Sequence, residues 1–129
     1  MIKADYNQGK NLVTIEFEGV VDMAQAEKFY PEIRKIVPHH GKEFTLLTDF
    51  TLLKKMDSKV LDLIKENMDF FNRAGVTKIL RVIPDPEQDI GFNILSLFHY
   101  SKKVILMTLP SREEAEKHLA SNKDYKIDY

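Results

Sequence analysis

The sequence contains no cysteine, and this absence excludes several kinds of chemistry. Without thiols the chain cannot form disulfides, thiolate metal sites or a cysteine nucleophile. Glycine is scarce as well, and none of the five glycines belongs to a phosphate-binding loop of the G-x-G-x-x-G or G-x-x-x-x-G-K-[ST] type. A G-x-S-x-G motif is also missing. These absences favour a protein that is not an enzyme and that carries no cofactor and no metal.

Long hydrophobic runs are absent too. The longest apolar stretches, Ile79–Pro84 and Val104–Leu109, have the length of strands and are far shorter than the roughly 20 residues of a membrane-spanning helix. The first ten residues are polar and do not resemble a signal peptide. We therefore expect no membrane span and a cytoplasmic location.

Neither sign of charge is in excess. The 129 residues include 19 lysines and arginines and 20 aspartates and glutamates, so the net charge is −1 and gives no general attraction for nucleic acid. The hydrophobic fraction of 43% and the charged fraction of 30% are typical of a soluble globular protein. We expect one domain over residues 1–120, followed by a C-terminal tail over 121–129, and no nucleic-acid partner.

Periodicity predicts the order of the helices and strands. Residues 2–7 and Leu12–Gly19 are typical of a hairpin, with Gly9 providing the positive φ angle of the turn. The segments that follow alternate between helical spacing and short apolar runs. Helices are predicted after Asp22, from Asp57-Ser58 to a C-cap at Gly75, over Asp89–Tyr100 and from a capping box at Ser111; strands are predicted at Glu43–Phe50, Thr77–Ile83 and Val104–Leu109.

The resulting order is β-β-α-β-α-β-α-β-α. Strands that alternate with helices are typical of a mostly parallel sheet whose helices pack on its faces, and the opening hairpin makes the sheet mixed. The sequence therefore predicts an α/β fold with four to five strands and about four helices.

The most informative stretch runs from Leu46 to Ile64. Asp49 closes a predicted buried strand, a connector over Thr51–Met56 follows, and Asp57-Ser58 opens an amphipathic helix. This pattern resembles the STAS domain of bacterial anti-sigma factor antagonists, in which an anti-sigma factor kinase phosphorylates the serine of such a pair and thereby releases the antagonist. The resemblance implies that Ser58 is the phosphoacceptor, and that Asp49 and Asp57 match the acid at the strand end and the aspartate of the pair.

A plainer interpretation of the same pair stays open, because an aspartate and a serine before an apolar helix are common N-caps. The related SpoIIAA-like proteins share this architecture with lipid-transfer domains, and many of them lack the phosphoserine motif. In either case the resemblance implies an α/β domain that acts by binding.

Two functions are therefore in competition. The first is a regulatory protein-interaction domain, monomer or homodimer, that binds an anti-sigma factor kinase or another regulatory protein through the surface around Leu53–Leu61. Its partner-binding residues would be Asp49, Lys54, Lys55, Asp57 and Lys59. The alternative is a carrier of a small molecule or lipid, with a pocket lined by Phe29, Tyr30, Phe92, Phe98 and Tyr100.

Overall fold

Five strands form one mixed sheet, and they lie side by side in the order in which they occur along the chain. The structure, a computed structural model, describes residues 1–38, 43–85, 100 and 103–121. The strands are β1 (Ile2–Asn7), β2 (Leu12–Val21), β3 (Phe44–Met56), β4 (Val76–Val82) and β5 (Ile105–Leu109). β1 and β2 are antiparallel, whereas β2 to β5 run parallel. The predicted fold class, a mixed and mostly parallel sheet with an opening hairpin, is confirmed.

Three helices occur among the described residues: α1 (Met23–Ile36), α2 (Val60–Ala74) and α3 (Arg112–Ser121). The helix predicted over Asp89–Tyr100 lies outside the described residues, apart from Tyr100. Residues 122–129 of the predicted tail also lie outside them, while Ser121 is the last residue of α3. In the part of the chain that the structure describes, no helix combines the length and the apolar character that crossing a membrane requires.

Local hydrogen bonds explain where the helices begin and end. The Asp22 carboxylate accepts the Gln25 N–H at 2.9 Å and caps α1. Gly75 ends α2 with a left-handed φ of 107°, and its N–H donates to the carbonyl of Phe71. At the start of α3 the Ser111 hydroxyl accepts the Glu114 N–H at 3.2 Å. These three ends agree with the caps predicted from the sequence.

The turn between β1 and β2 differs from the prediction. Asn11, not Gly9, adopts the positive φ angle, at 50°. Asparagine tolerates this conformation better than most residues because its short polar side chain can bond locally. Here the side-chain oxygen of Asn11 accepts the Tyr6 hydroxyl at 2.7 Å. Gly9 is therefore not required by the backbone of the turn.

The helices cover the sheet from both sides. Successive residues of a strand point to opposite faces, so each strand contributes to two cores. α1 and α2 pack on the face that carries Ile15, Leu46 and Ile79. The opposite face, which carries Leu47 and Leu80, is covered by α3. The result is three layers, with the sheet between the helices.

β3 is longer than the sequence predicts. The strand was expected over Glu43–Phe50, but it continues through the supposed connector Thr51–Met56. It pairs with β4 only as far as Asp49, whereas its pairing with β2 continues to Met56 through two irregularities in register. Such bulges break the alternation of buried and exposed residues, and this hid the strand in the sequence. Beyond Asp49, the segments 18–21 and 52–56 form a two-stranded extension, which we call the ribbon.

Candidate functional site

Asp57 makes the turn that joins the ribbon to α2. Its N–H donates to the carbonyl of Val21 at 3.0 Å and so holds the start of the turn against β2. Its carboxylate oxygen accepts the Lys59 N–H at 3.0 Å, and its carbonyl accepts the Val60 N–H at 2.9 Å. The Asp57 carboxylate therefore closes an Asx turn just before α2, while α2 itself begins at Val60 and its N-cap residue, Lys59, makes no capping hydrogen bond through its side chain.

Ser58 plays no such part in the turn. The residue is exposed, and its carbonyl accepts the Leu61 N–H at 3.1 Å. Its hydroxyl makes no hydrogen bond to any residue that the structure describes. In this turn the side-chain hydrogen bond is made by Asp57, and the Ser58 hydroxyl is open to solvent.

Three lysines flank this turn. Lys54 and Lys55 lie on the ribbon, Lys59 lies in the turn, and all three are exposed. None of the three forms an ion pair with another described residue. They place positive charge before and after Ser58 along the chain.

The ribbon also exposes apolar side chains. Leu52 is 62% exposed and Val20 is 59% exposed. Both point away from α1 and α2, because their chain neighbours Leu53 and Val21 pack into the core on that side. The register pairs Glu18 with Leu52 and Val20 with Lys55, so the two apolar groups lie close to each other on adjacent strands. A single exposed apolar residue is ordinary, whereas these two lie close together and form a small apolar patch beside the lysines.

Asp49 lies elsewhere, in an ion-pair cluster on the α3 face of the sheet. One of its carboxylate oxygens lies 3.3 Å from an Arg112 guanidinium nitrogen, and the other accepts the Thr51 N–H at 2.9 Å. The same guanidinium contacts Glu16 at 3.0 Å and Glu116 at 2.8 Å. Burial disfavours the charged form of Arg112, but its hydrogen bonds to Glu116, Glu16 and Asp49 outweigh this effect and raise its pKa.

The structure therefore does not bring Asp49 together with the rest of the predicted binding set. Seven residues of extended strand, 50–56, separate it from Asp57, a distance of roughly 25 Å along the chain. Lys54, Lys55, Asp57 and Lys59 are all exposed and lie within four residues of Ser58 along the chain. The role of Asp49 in binding Arg112 could not be found from local sequence, because the two residues are 63 positions apart.

The structure describes three of the five residues predicted to line a carrier pocket, namely Phe29, Tyr30 and Tyr100. Phe29 is partly buried against the core. The Tyr30 hydroxyl accepts a hydrogen bond from Arg34, whose guanidinium carbon lies 4.3 Å from the centre of the Tyr30 ring. Tyr100 lines a cavity beneath α2, which neither Phe29 nor Tyr30 touches. Phe92 and Phe98 lie outside the described residues.

No protein-family model matches the sequence, and no curated protein matches it either. Solved structures do match. The anti-sigma factor antagonist SpoIIAA in its unphosphorylated form is 19% identical with a TM-score of 0.64, over 93% of this chain and 98% of that one. An uncharacterised DUF3478-family protein with a SpoIIAA-like fold, from Shewanella loihica PV-4, is 12% identical with a TM-score of 0.69, over 92% of each chain.

This chain has the SpoIIAA-like fold. The Bacillus cell fate determinant SpoIIAA in its phosphorylated form matches as well, at 21% identity and a TM-score of 0.60, over 92% of this chain and 99% of that one. The SpoIIAA-like architecture confirms the resemblance drawn from the Leu46–Ile64 stretch at the level of the fold. At these identities the likeness concerns the fold, and the argument for function rests on the residues themselves.

Proposed function

We propose that this SpoIIAA-like protein is a non-enzymatic regulatory module that binds another protein through the ribbon and the start of α2, and that phosphorylation of Ser58 switches this binding. The observation that carries the proposal is the Ser58 residue, which is exposed and whose hydroxyl bonds to no residue that the structure describes, while Asp57 makes the side-chain hydrogen bond of the turn. The similar SpoIIAA structures add support, because that antagonist has been solved in phosphorylated and unphosphorylated forms.

The chemistry of the surface indicates the kind of partner. Leu52 and Val20 offer apolar contact area, and Lys54, Lys55 and Lys59 border the turn with positive charge. A partner that fits this surface has an apolar patch with an acidic rim, since complementary charge at the rim speeds association and excludes wrong partners. An anti-sigma factor kinase or another regulatory protein of the cytoplasm is the partner class that the SpoIIAA resemblance suggests.

A phosphate on Ser58 would change this surface without disturbing the fold. It adds a charge of about −1.5 to −2 at neutral pH. The N-terminal end of a helix accommodates negative charge, because its N–H groups and its dipole favour an anion. Beside Asp57, the phosphate would cancel much of the positive charge of the three lysines and repel an acidic partner. Phosphorylation should therefore release the partner.

Phosphosite mapping tests the switch. The protein is incubated with ATP and a lysate of its own source organism, and its peptides are then mapped by mass spectrometry. We expect phosphate on Ser58 and none on the Ser58→Ala variant. Ser111 is a matched internal control, since it also precedes a helix but its hydroxyl is bonded to the Glu114 N–H. Absence of phosphate from Ser58, in a lysate that phosphorylates its own proteins, would contradict the proposal.

A further inference from the structure

A cavity lies between α2 and the face of the sheet that α1 and α2 cover. Its room for molecules the size of water is about 50 Å³, and the space not filled by atoms is about 480 Å³ when the open mouth and the solvent in it are included. Most of its wall is apolar, with Ile15 and Phe17 on the sheet and Ile64 on the helix. Pockets for small molecules have this character, namely an apolar wall with a few polar groups that fix the orientation of the ligand.

Two polar atoms in this wall have no hydrogen-bond partner in the part of the chain that the structure describes. They are the Thr48 hydroxyl on β3 and the Asn67 side-chain oxygen on α2, and both are buried. Folded proteins leave few buried polar atoms in this state, because such an atom has lost its water without gaining a replacement. A ligand with hydrogen-bonding capacity in this cavity would satisfy both of them, one on the sheet and one on the helix.

Two further polar residues complete this part of the wall. Arg81 is only 3% exposed, which is unusual for an arginine. Tyr100 lines the same cavity, and burial raises the pKa of its hydroxyl, so that it stays protonated and able to donate. The apolar part of the wall includes Phe17 and Phe50, whose rings stack almost parallel with their centres 4.8 Å apart. The cavity thus joins a flat aromatic wall to a polar one.

We propose that this cavity is a binding site for a small aromatic alcohol of the phenol class. A carboxylate has no hydrogen to give to the Asn67 oxygen, whereas a hydroxyl group both donates and accepts and suits Asn67 and Thr48 alike. A single flat ring matches the aromatic wall and the limited space. This inference does not rest on Ser58 or on the ribbon, and it can hold whether or not the protein is phosphorylated.

A pair of probes of equal shape tests the proposal. Phenol and toluene differ only in that a hydroxyl replaces a methyl group, and each is titrated into the full chain while amide resonances are followed by NMR. We expect phenol to shift the resonances of the cavity residues and to bind at least about tenfold more tightly than toluene, which corresponds to one good hydrogen bond. Equal affinities, no binding of phenol, or shifts confined to other parts of the protein would overturn the proposal, leaving a cavity that holds water only.

Two variants assign the site. In Asn67→Leu the preference for phenol over toluene should disappear, while Asn72→Leu on the same helix, which does not line the cavity, should retain it. Ile64→Phe fills the space instead, and it should abolish the binding of both probes. Because these variants change different properties of the site, a folding defect in one does not leave the question open. If Ile64→Phe binds phenol as the wild type does, the site is not in this cavity.

Discussion

Asp57 and Ser58, which are neighbours in the turn before α2, differ in the hydrogen bonds of their side chains. The Asp57 carboxylate accepts the Lys59 N–H, whereas the Ser58 hydroxyl is exposed and unbonded. The sequence alone does not say which of the two side chains bonds to the backbone here, because aspartate and serine have similar capping preferences. The answer depends on the position of the turn, which the Asp57 N–H fixes by bonding to Val21 at the end of β2.

Alanine substitutions separate the two roles. Asp57→Ala should lower the free energy of unfolding by about 1 kcal/mol, the usual net contribution of one hydrogen bond, because the bond from the Lys59 N–H is lost. Ser58→Ala should change it by less than about 0.5 kcal/mol, since an exposed side chain without bonds is removed. Urea denaturation of both variants measures the difference. A loss of stability in Ser58→Ala as large as that in Asp57→Ala would contradict the different roles of the two side chains in the turn.

Because the Tyr100 hydroxyl is buried, we expect the free energy of unfolding to fall at alkaline pH. Burial is the largest cause of its raised pKa, and the charge of Asp69 adds to it while that of Arg81 opposes it. The folded state therefore holds the phenolic proton at a pH where the unfolded chain, with its ordinary pKa near 10.0, has lost it. The stability from this proton is fully present below pH 10 and declines above it, by at most about 1.4 kcal/mol per pH unit.

The comparison that isolates this effect uses Tyr100→Phe. Both proteins are denatured with urea at several pH values from 8 upwards, and the wild type should lose stability more steeply above about pH 10. Lysines titrate in the same range, but they are common to both proteins. Parallel curves for the two proteins would show that the Tyr100 hydroxyl does not titrate abnormally.

At the scale of elements, the ribbon is the feature that the sequence concealed. Thr51–Met56 contains two lysines and no regular alternation, so it was interpreted as a connector. The register of β2 and β3 shows why, because irregularities at Glu16/Glu18 and Gly19/Val20 shift the pattern twice within a few residues. The strands with clean alternation or compact apolar character were predicted nearly to their ends, as β2 and β4 show.

Gly75 at the end of α2 and Gly9 in the β1–β2 turn should respond differently to substitution by alanine. Gly75 has a φ of 107°, a conformation that is strained for any residue with a β-carbon, so Gly75→Ala should cost about 1–2 kcal/mol of stability. A β-carbon on Gly9 would meet only an ordinary contact, 3.5 Å from the Asn7 side-chain oxygen. Gly9→Ala should therefore be neutral or slightly stabilising. Thermal or urea denaturation checks both, and equal losses would contradict the structure of the turn.

At the scale of the whole molecule, the SpoIIAA-like fold separates three features. The Arg112 cluster joins α3 to β2 and β3 on one face of the sheet, and the cavity lies beneath α2 on the other. The ribbon and the start of α2 project beyond the point where β4 stops pairing with β3. The predicted alternation of strands and helices was enough for the architecture, but the cluster and the cavity depend on residues distant in sequence and could not be predicted.

The most direct test of the proposed contact face is quantitative affinity capture from a lysate of the source organism. Four forms of the protein are compared: the wild type, Ser58→Asp, Leu52→Asp and the control Gln8→Asp. Each variant adds one negative charge at an exposed position, and Gln8 lies in the β1–β2 turn at the other end of the sheet. The proposal predicts a protein that the wild type and Gln8→Asp retain equally and that Ser58→Asp and Leu52→Asp retain at least about tenfold less, as expected for a loss of about 1.4 kcal/mol or more. If no captured protein distinguishes these variants, the ribbon and the start of α2 are not a regulated binding surface.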